Sequence, residues 1–279
     1  MGGSGKTPLI IALVRELKEK GYSAGVVSRG YGGKAIRYPL IVSKDTPVSE
    51  SGDEPLLIVK SCGCPVVVDP NRENAVRTLL EQFSCDLVLS DDGLQHYRMH
   101  RDVEVAVIDA SRGLGNKLTL PAGPLREPLK RLQEVDFVVH NGGEDIRADS
   151  GNAKNTCFVK LEPVGLRKLG AEELISAAQW IDSMSVHAVA GIGHPERFAS
   201  TLKEMGFEPD LHAKNDHEAL SIDDLRFKDQ HPVIITEKDA VKYNDAVPDN
   251  LWVLEVRMRL SDQLVANVLA CAGLPVTKR

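Results

Sequence analysis

The sequence predicts an α/β protein: a mostly parallel sheet carrying the larger part of the chain, followed by a second, smaller α/β unit. Three observations lead there. Short β-branched runs alternate with amphipathic stretches along the first half. Those runs are continuously apolar and bounded by Gly, Pro, Asp or Asn, as strands buried on both faces should be. A glycine-rich turn also leads directly into the first helix.

Residues 6–20 place Leu9, Leu13 and Leu17 at i, i+4 and i+8 with Val14 beside them, so one stripe of a helix is apolar and the far face charged. Gly21 ends that helix. Strands are expected at 24–28, 65–69, 86–90, 103–109 and 136–140, with helices near 54–62 and 71–83 between them. Residues 142–156 are polar and turn-rich and serve as the expected connection between the two units, 1–150 and 151–279. Beyond it, strands are expected near 157–162, 186–190, 231–236 and 251–258, and helices near 171–180, 195–205 and 262–272.

Composition narrows the function classes. The 279 residues are 42% hydrophobic and 27% charged, an ordinary folded composition rather than a disordered one. A net charge of −6 disfavours nucleic acid as a partner, and no protein partner is implied. Five scattered cysteines (Cys62, Cys64, Cys85, Cys157, Cys271) do not form a disulfide framework and read as reduced thiols.

The most informative segment is Gly2-Gly3-Ser4-Gly5-Lys6-Thr7-Pro8. Glycines let the backbone wrap an anion without Cβ clashes, and the N–H groups of a helix start point at it. Lys6 would reach the β- and γ-phosphates of ATP and the Thr7 hydroxyl would ligate Mg²⁺, which makes the fold P-loop NTPase-like. The bland alternative is a functionless glycine-rich tail. The full motif asks for a glycine five residues before Gly5 and for a strand feeding the loop; both are expected upstream of Met1, so the sequence is expected to start late.

Asp91-Asp92-Gly93 follows the strand expected at 86–90. Carboxylates at the C-terminal end of a parallel strand sit where the metal of P-loop enzymes sits, and adjacent acids suit a hard cation. A solvated turn is the alternative. Asp53, before Glu54-Pro55, is in plain terms a helix N-cap.

GGSGKTP (2–8), SRGYGG (28–33), SGDEP (51–55), SDDGLQH (90–96), LPAGPLREP (120–128), AGIGHPERF (190–198), NDHEALS (215–221) and ITEKDAVKY (235–243) occur in series. Together they resemble the tetraacyldisaccharide 4′-kinase, or lipid A 4′-kinase, family over nearly the whole chain. The resemblance implies a kinase that moves the ATP γ-phosphate to the 4′-hydroxyl of a tetraacylated glucosamine disaccharide 1-phosphate. It implies two α/β domains with the active site in the cleft between them, the second closing on the first. Members carry a membrane-associated helix before the phosphate loop; this sequence does not contain it. By resemblance the protein would work at the cytoplasmic side of the bacterial inner membrane.

The resemblance also implies roles. Asp53 would be the base for the sugar hydroxyl, with a histidine across the cleft orienting it: His217 in the first instance, His194 as the alternative. Arg126 is a candidate for offsetting phosphoryl charge and Glu127 for the metal, unless the two form only a surface ion pair. Arg72, and Arg29 with Tyr31, are candidates for gripping the disaccharide and its 1-phosphate. Gln95 and His96 would face the cleft, and Glu237-Lys238-Asp239 would lie near nucleotide without a defined role. Two rival readings stand beside this one. One is a P-loop ATPase that switches partners without a lipid substrate; the other is a shortened, inactive product. The absence of Asn-Lys-x-Asp weakens a GTPase version of the first.

Overall fold

A computed structural model describes residues 3–142, 155–216, 221–243 and 248–278. The elements run α1 (Lys6–Glu19), β1 (Ala24–Ser28), β2 (Leu40–Val42), α2 (Val48–Ser51), α3 (Asp53–Cys62), β3 (Val66–Val68), α4 (Arg72–Gln82), β4 (Leu87–Ser90), β5 (Val105–Asp109) and β6 (Phe137–Asn141). There follow β7 (Thr156–Val159), β8 (Leu161–Lys168), β9 (Leu174–Ile175), β10 (Ser185–Ala190), α5 (Pro195–Glu204), β11 (Glu208–Ala213), β12 (Val233–Thr236), α6 (Glu237–Ala240), β13 (Leu251–Met258) and α7 (Asp262–Cys271). The chain is thus α/β, as its alternating pattern requires.

The strands form three sheets, ordered β2-β3-β1-β4, β5-β6-β7 and β11-β10-β12-β13-β8-β9. Parallel pairing dominates: β3, β1 and β4 run together, as do β5 to β7 and β11, β10, β12 and β13. The antiparallel additions are β2 on β3 and β8 and β9 beyond β13. Helix α1 joins the first two sheets. Its Ile10, Val14 and Leu17 pack in the cluster of β1, β3 and α3, while Leu9, Ala12 and Leu13 pack against Phe137 and Val139 of β6. Leu17 is 1% exposed; truncating such a side chain to alanine costs about 2–5 kcal/mol. Helix α7 reaches back to this layer, its Leu264, Val265, Val268 and Leu269 entering the same two clusters.

The period-based expectations hold for α1, β1, α3, α4 and α7, miss the short β2, α2 and α6, and fail in three further places. Residues 171–180 are not a helix. Leu174 and Ile175 pair with β8, and Ser176 closes a capping box with Gln179 around a single 3₁₀ turn before Trp180 returns to extended backbone. The segment near 157–162 divides into β7 and β8, which belong to different sheets. The edge strand β11 has no apolar run to reveal it, and only its parallel register with β10 makes it a strand. The connection expected at 142–156 lies largely outside the described residues.

Candidate active site at the phosphate loop and the acid pairs

Gly5 caps α1 in the left-handed region, φ 95°, and Gly3 has φ 81°. Only glycine takes such angles without strain. No side chain caps the helix and no acid sits in its first turn, so the N–H groups there keep their attraction for an anion. A side chain at Gly5 would collide with Asn141, the last residue of β6, whose Nδ2 donates to Ser4 O at 3.1 Å. Arg197 of α5 donates to the Asn141 Oδ1 at 3.1 Å. A Cβ at Gly3 would lie 3.4 Å from the Gly193 backbone, and Arg112 donates to the Gly193 carbonyl. The loop is therefore held between β6 and the segment that opens α5. Asn141 and Arg112 carry no sequence signal of their own, and Arg197 lies in AGIGHPERF without an assigned role; their contacts appear only when β6 and α5 are brought to the loop. Gly2 lies outside the described residues, Thr7 is buried, and Pro8 lies in the first turn of α1.

Asp91 and Asp92 end β4, with Asp92 at φ 53°. Their environments differ. Asp91 is 2% exposed; its Oδ2 lies 3.4 Å from Ser28 Oγ and its Oδ1 has no hydrogen-bond partner. Burial, then the nearby Glu54 charge, push its pKa up to about 7, against the pull of Lys6 and Arg72. Burial opposes the charge of Asp92 too. However, Lys6 at 3.5 Å and Arg126 at 3.0 Å outweigh it and hold that carboxyl below its usual range. A buried carboxylate oxygen with nothing to bind, beside a second acid, is a donor pair that suits a magnesium ion.

Gly52, not Asp53, caps α3, with φ 83°; Asp53 is the first helical residue and its Oδ1 accepts from Glu54 N at 2.9 Å. The N-cap reading of Asp53 is therefore replaced. Asp53 is 4% exposed. Its Oδ2 lies 3.8 Å from Lys238 Nζ, which is also 3.7 Å from Glu54 and 3.1 Å from Asp216. Burial opposes the charge of Lys238, and Asp53, Glu54 and Asp216 together raise its pKa in spite of it. Sequence reasoning left Lys238 without a role. Its signal was the acidic surroundings of a cation at the end of β12, and those exist only in the fold. The neighbouring Asp239 is fully buried, accepting from Gly191 N at 3.1 Å and Thr236 Oγ1 at 2.8 Å, and so fixes the loop after β10.

The remaining expected residues divide. His217 lies outside the described residues. His194 caps α5 beside the phosphate loop, with its Nδ1 buried and unpartnered. Arg72, expected on the substrate, is 2% exposed and donates to Asp69 O at 3.0 Å and Asp91 O at 3.3 Å. It braces the end of β4 and has no surface to offer a ligand. Glu127, expected on the metal, has both oxygens occupied: Gln95 Nε2 at 2.7 Å, Tyr97 OH at 3.0 Å and Arg131 Nε at 3.4 Å. That network holds Gln95, which is exposed, in place. Arg29 and Tyr31 are exposed and His96 half-buried, with burial and Arg72 lowering the His96 pKa.

Comparison with known proteins gives the family. The family model for tetraacyldisaccharide-1-P 4′-kinase matches residues 1–272. The tetraacyldisaccharide 4′-kinase of Pseudomonas fluorescens (strain Pf-5) is 47% identical over 266 residues, covering 95% of this chain and 77% of that protein. That of Hahella chejuensis is 46% identical over 268 residues, covering 96% of this chain and 77% of that one. The crystal structure of LpxK from Aquifex aeolicus in complex with ATP superposes with a TM-score of 0.78 at 28% identity, covering 97% of this chain and 85% of that one. A phosphate loop backed by paired acids, on a chain matched over almost its whole length, leads to one conclusion: this protein belongs to the tetraacyldisaccharide-1-P 4′-kinase family.

Proposed function

We propose that this chain is an ATP-dependent kinase of lipid A biosynthesis, transferring the γ-phosphate to the 4′-hydroxyl of a tetraacylated glucosamine disaccharide 1-phosphate. The observation that carries this reading is the juxtaposition of Lys6 with Asp92 and of Lys238 with Asp53. The first pair supports a triphosphate site there, and the second supports a buried carboxylate as proton acceptor.

The open N–H groups at Gly3–Lys6 and the Lys6 ammonium bind the β- and γ-phosphates. Thr7, Asp91 and Asp92 would hold Mg²⁺, which neutralises phosphate charge when bound. Arg126, bridged to Asp92, is placed to turn toward the transferring group and offset its charge. Asp53 takes the proton of the attacking hydroxyl, with the Lys238 ammonium 3.8 Å from its Oδ2. His217 or His194 would orient Asp53. Arg29, Tyr31, Gln95 and His96 form the exposed side that meets the disaccharide, with Glu127 supporting Gln95. We divide the chain at 150/151 into a nucleotide unit and a smaller closing unit, with β7 and α7 packed back on the first. Closure would exclude water from the γ-phosphate. We place the protein peripherally on the cytoplasmic face of the inner membrane, where its lipid substrate lies; among the described residues no helix is long and apolar enough to cross a membrane.

The test is ADP release by the purified chain with Mg·ATP, with and without detergent-dispersed tetraacyl disaccharide 1-phosphate. Release is expected to depend on the lipid, with γ-label recovered on it. Lipid-independent release would favour the switch-ATPase reading instead.

A further inference from the structure

The sheet of β10, β11 and β12 carries a second cluster of titratable groups, away from the phosphate loop. In the parallel register of β10 and β11, His187 is opposite Asp210, and His212 lies two residues further along. Opposite and i+2 positions share a face of a sheet, so the pairing alone forces these three side chains together. His187 Nδ1 lies 3.1 Å from His212 Nε2 and 3.8 Å from Asp210 Oδ2, and His212 Nε2 lies 3.2 Å from the same oxygen. Ligands about 2.1 Å from a tetrahedral zinc ion stand about 3.4 Å from one another. The three observed separations bracket that value.

The opposite nitrogen of the central ring is engaged as such a site requires. His187 Nε2 lies 3.0 Å from Asp229 Oδ1. A proton held there by the carboxylate makes Nδ1 the acceptor of the contact with His212 Nε2, so a cation would take the place of the one proton between the two rings. The carboxylate also makes the ring a stronger base, the usual arrangement behind a metal-bound histidine. Phe227 stacks on His187 with ring centroids 3.6 Å apart and lies 4.7 Å from His212, so both rings are fixed in orientation. The His187 side chain is 9% exposed, while that of Asp210 is 70% exposed, leaving an approach from solvent and a free coordination position.

From this geometry we propose a binding site for a zinc-class divalent cation formed by His187 Nδ1, His212 Nε2 and Asp210 Oδ2, with Asp229 as positioning residue. Two imidazoles and one carboxylate select zinc and its transition-metal neighbours over magnesium, which demands oxygen ligands. The ion that accompanies ATP therefore does not compete for it. Its role would be to tie β11 to β10. His187 stands three residues before Ala190, roughly 10 Å of strand, and the loop after Ala190 is the one fixed by Asp239 against the nucleotide side.

Metal-stripped protein would be titrated with Zn²⁺ by calorimetry, with Mg²⁺ as control, and with Co²⁺ for its absorption spectrum. One Zn²⁺ per chain is expected, no Mg²⁺ heat, and a tetrahedral Co²⁺ spectrum without a thiolate charge-transfer band. His212→Gln and Asp210→Asn, both at solvent-reached positions, should abolish stoichiometric binding while melting cooperatively. Asp229→Asn should weaken it about 10-fold, and His231→Gln should leave it unchanged. The site is refuted by absent 1:1 binding, by affinity retained in both His212→Gln and Asp210→Asn, or by loss on His231→Gln. A thiolate band, which would move the ion to Cys62 and Cys64, refutes it as well.

Discussion

The acid pair after β4 and the acid pair opening α3 each meet a lysine, but they are assembled differently. Asp92 meets Lys6 of α1 and Arg126, all within the first half of the chain. Asp53 and Glu54 meet Lys238, which arrives from the end of β12 in the other half. The acids and cations of the nucleotide side thus come from one half of the sequence, although Gly193 and Arg197 of the other half brace its loop. The proton-accepting side instead joins carboxylates of one half to a lysine of the other. The nucleotide side keeps an orphaned Asp91 oxygen beside its cations, whereas in the other a single ammonium, that of Lys238, meets three carboxylates, Asp53, Glu54 and Asp216. Binding and chemistry should therefore separate in mutants.

The largest effect is expected at the nucleotide side. Lys6→Ala should lower kcat/KM by about 10³-fold, the loss of a donor aimed at developing charge. It should also reduce the rise in Tm that Mg·ATP gives the wild type, since only ligand binding to the folded state raises it. Asp53→Ala should cost about 10²-fold or more in kcat, as removal of a positioned base does, yet keep the full nucleotide-induced rise in Tm. If Asp53→Ala lost that rise, or kept near-normal turnover, the separation between the two acid pairs would be gone.

A smaller effect sharpens the same contrast. Lys238→Met should lower kcat about 10-fold, roughly the worth of a 1.4 kcal/mol electrostatic contact. A nearby cation favours the ionised form of Asp53, so its removal should move the acidic limb of the pH–rate profile to higher pH. A uniformly lowered profile with an unmoved limb would mean that Lys238 only holds the two parts together.

The two sides also differ in how far the sequence revealed them. Gly3, Gly5, Lys6 and Asp91 lie on one strand-end and one helix-start, and local spacing displays both. The span of α1 followed from Leu9, Leu13 and Leu17 for the same reason: its apolar stripe repeats within the segment. Lys238 and Arg197 lie within recognised motifs without a defined role, and their contacts, like the place of Asn141, are legible only between segments far apart in the chain. Arg72 misled because a guanidinium looks the same in sequence whether it grips a phosphate or two backbone carbonyls; burial alone distinguishes them. Residues 171–180 misled because the segment is rich in good helix formers, yet its adjacent Leu174 and Ile175 pair with β8, and the capping box at Ser176 closes one turn as readily as it starts a helix.

The smallest expected effect concerns stability and tests why Asp91 is left unpartnered. Its pKa in the folded chain is about 7, whereas an unfolded aspartate titrates near its ordinary value of 3.8. Between those values the folded protein keeps a proton that the unfolded chain has released. Stability without nucleotide should therefore fall as pH rises from about 4 to 7 and stay level above. Glu237, also raised to about 7 by burial, adds a slope of the same sign. Asp91→Asn should remove the Asp91 share, making urea unfolding less pH-dependent and the variant more stable than wild type at pH 8, on the order of 1 kcal/mol after relaxation discounts the burial. Mg·ATP should reverse the order at pH 8, because the wild-type carboxylate gains a cation there and asparagine does not. Equal pH slopes in the two proteins would mean that Asp91 is already ionised and satisfied before nucleotide arrives. In that case the nucleotide side would hold no carboxylate oxygen waiting for a cation.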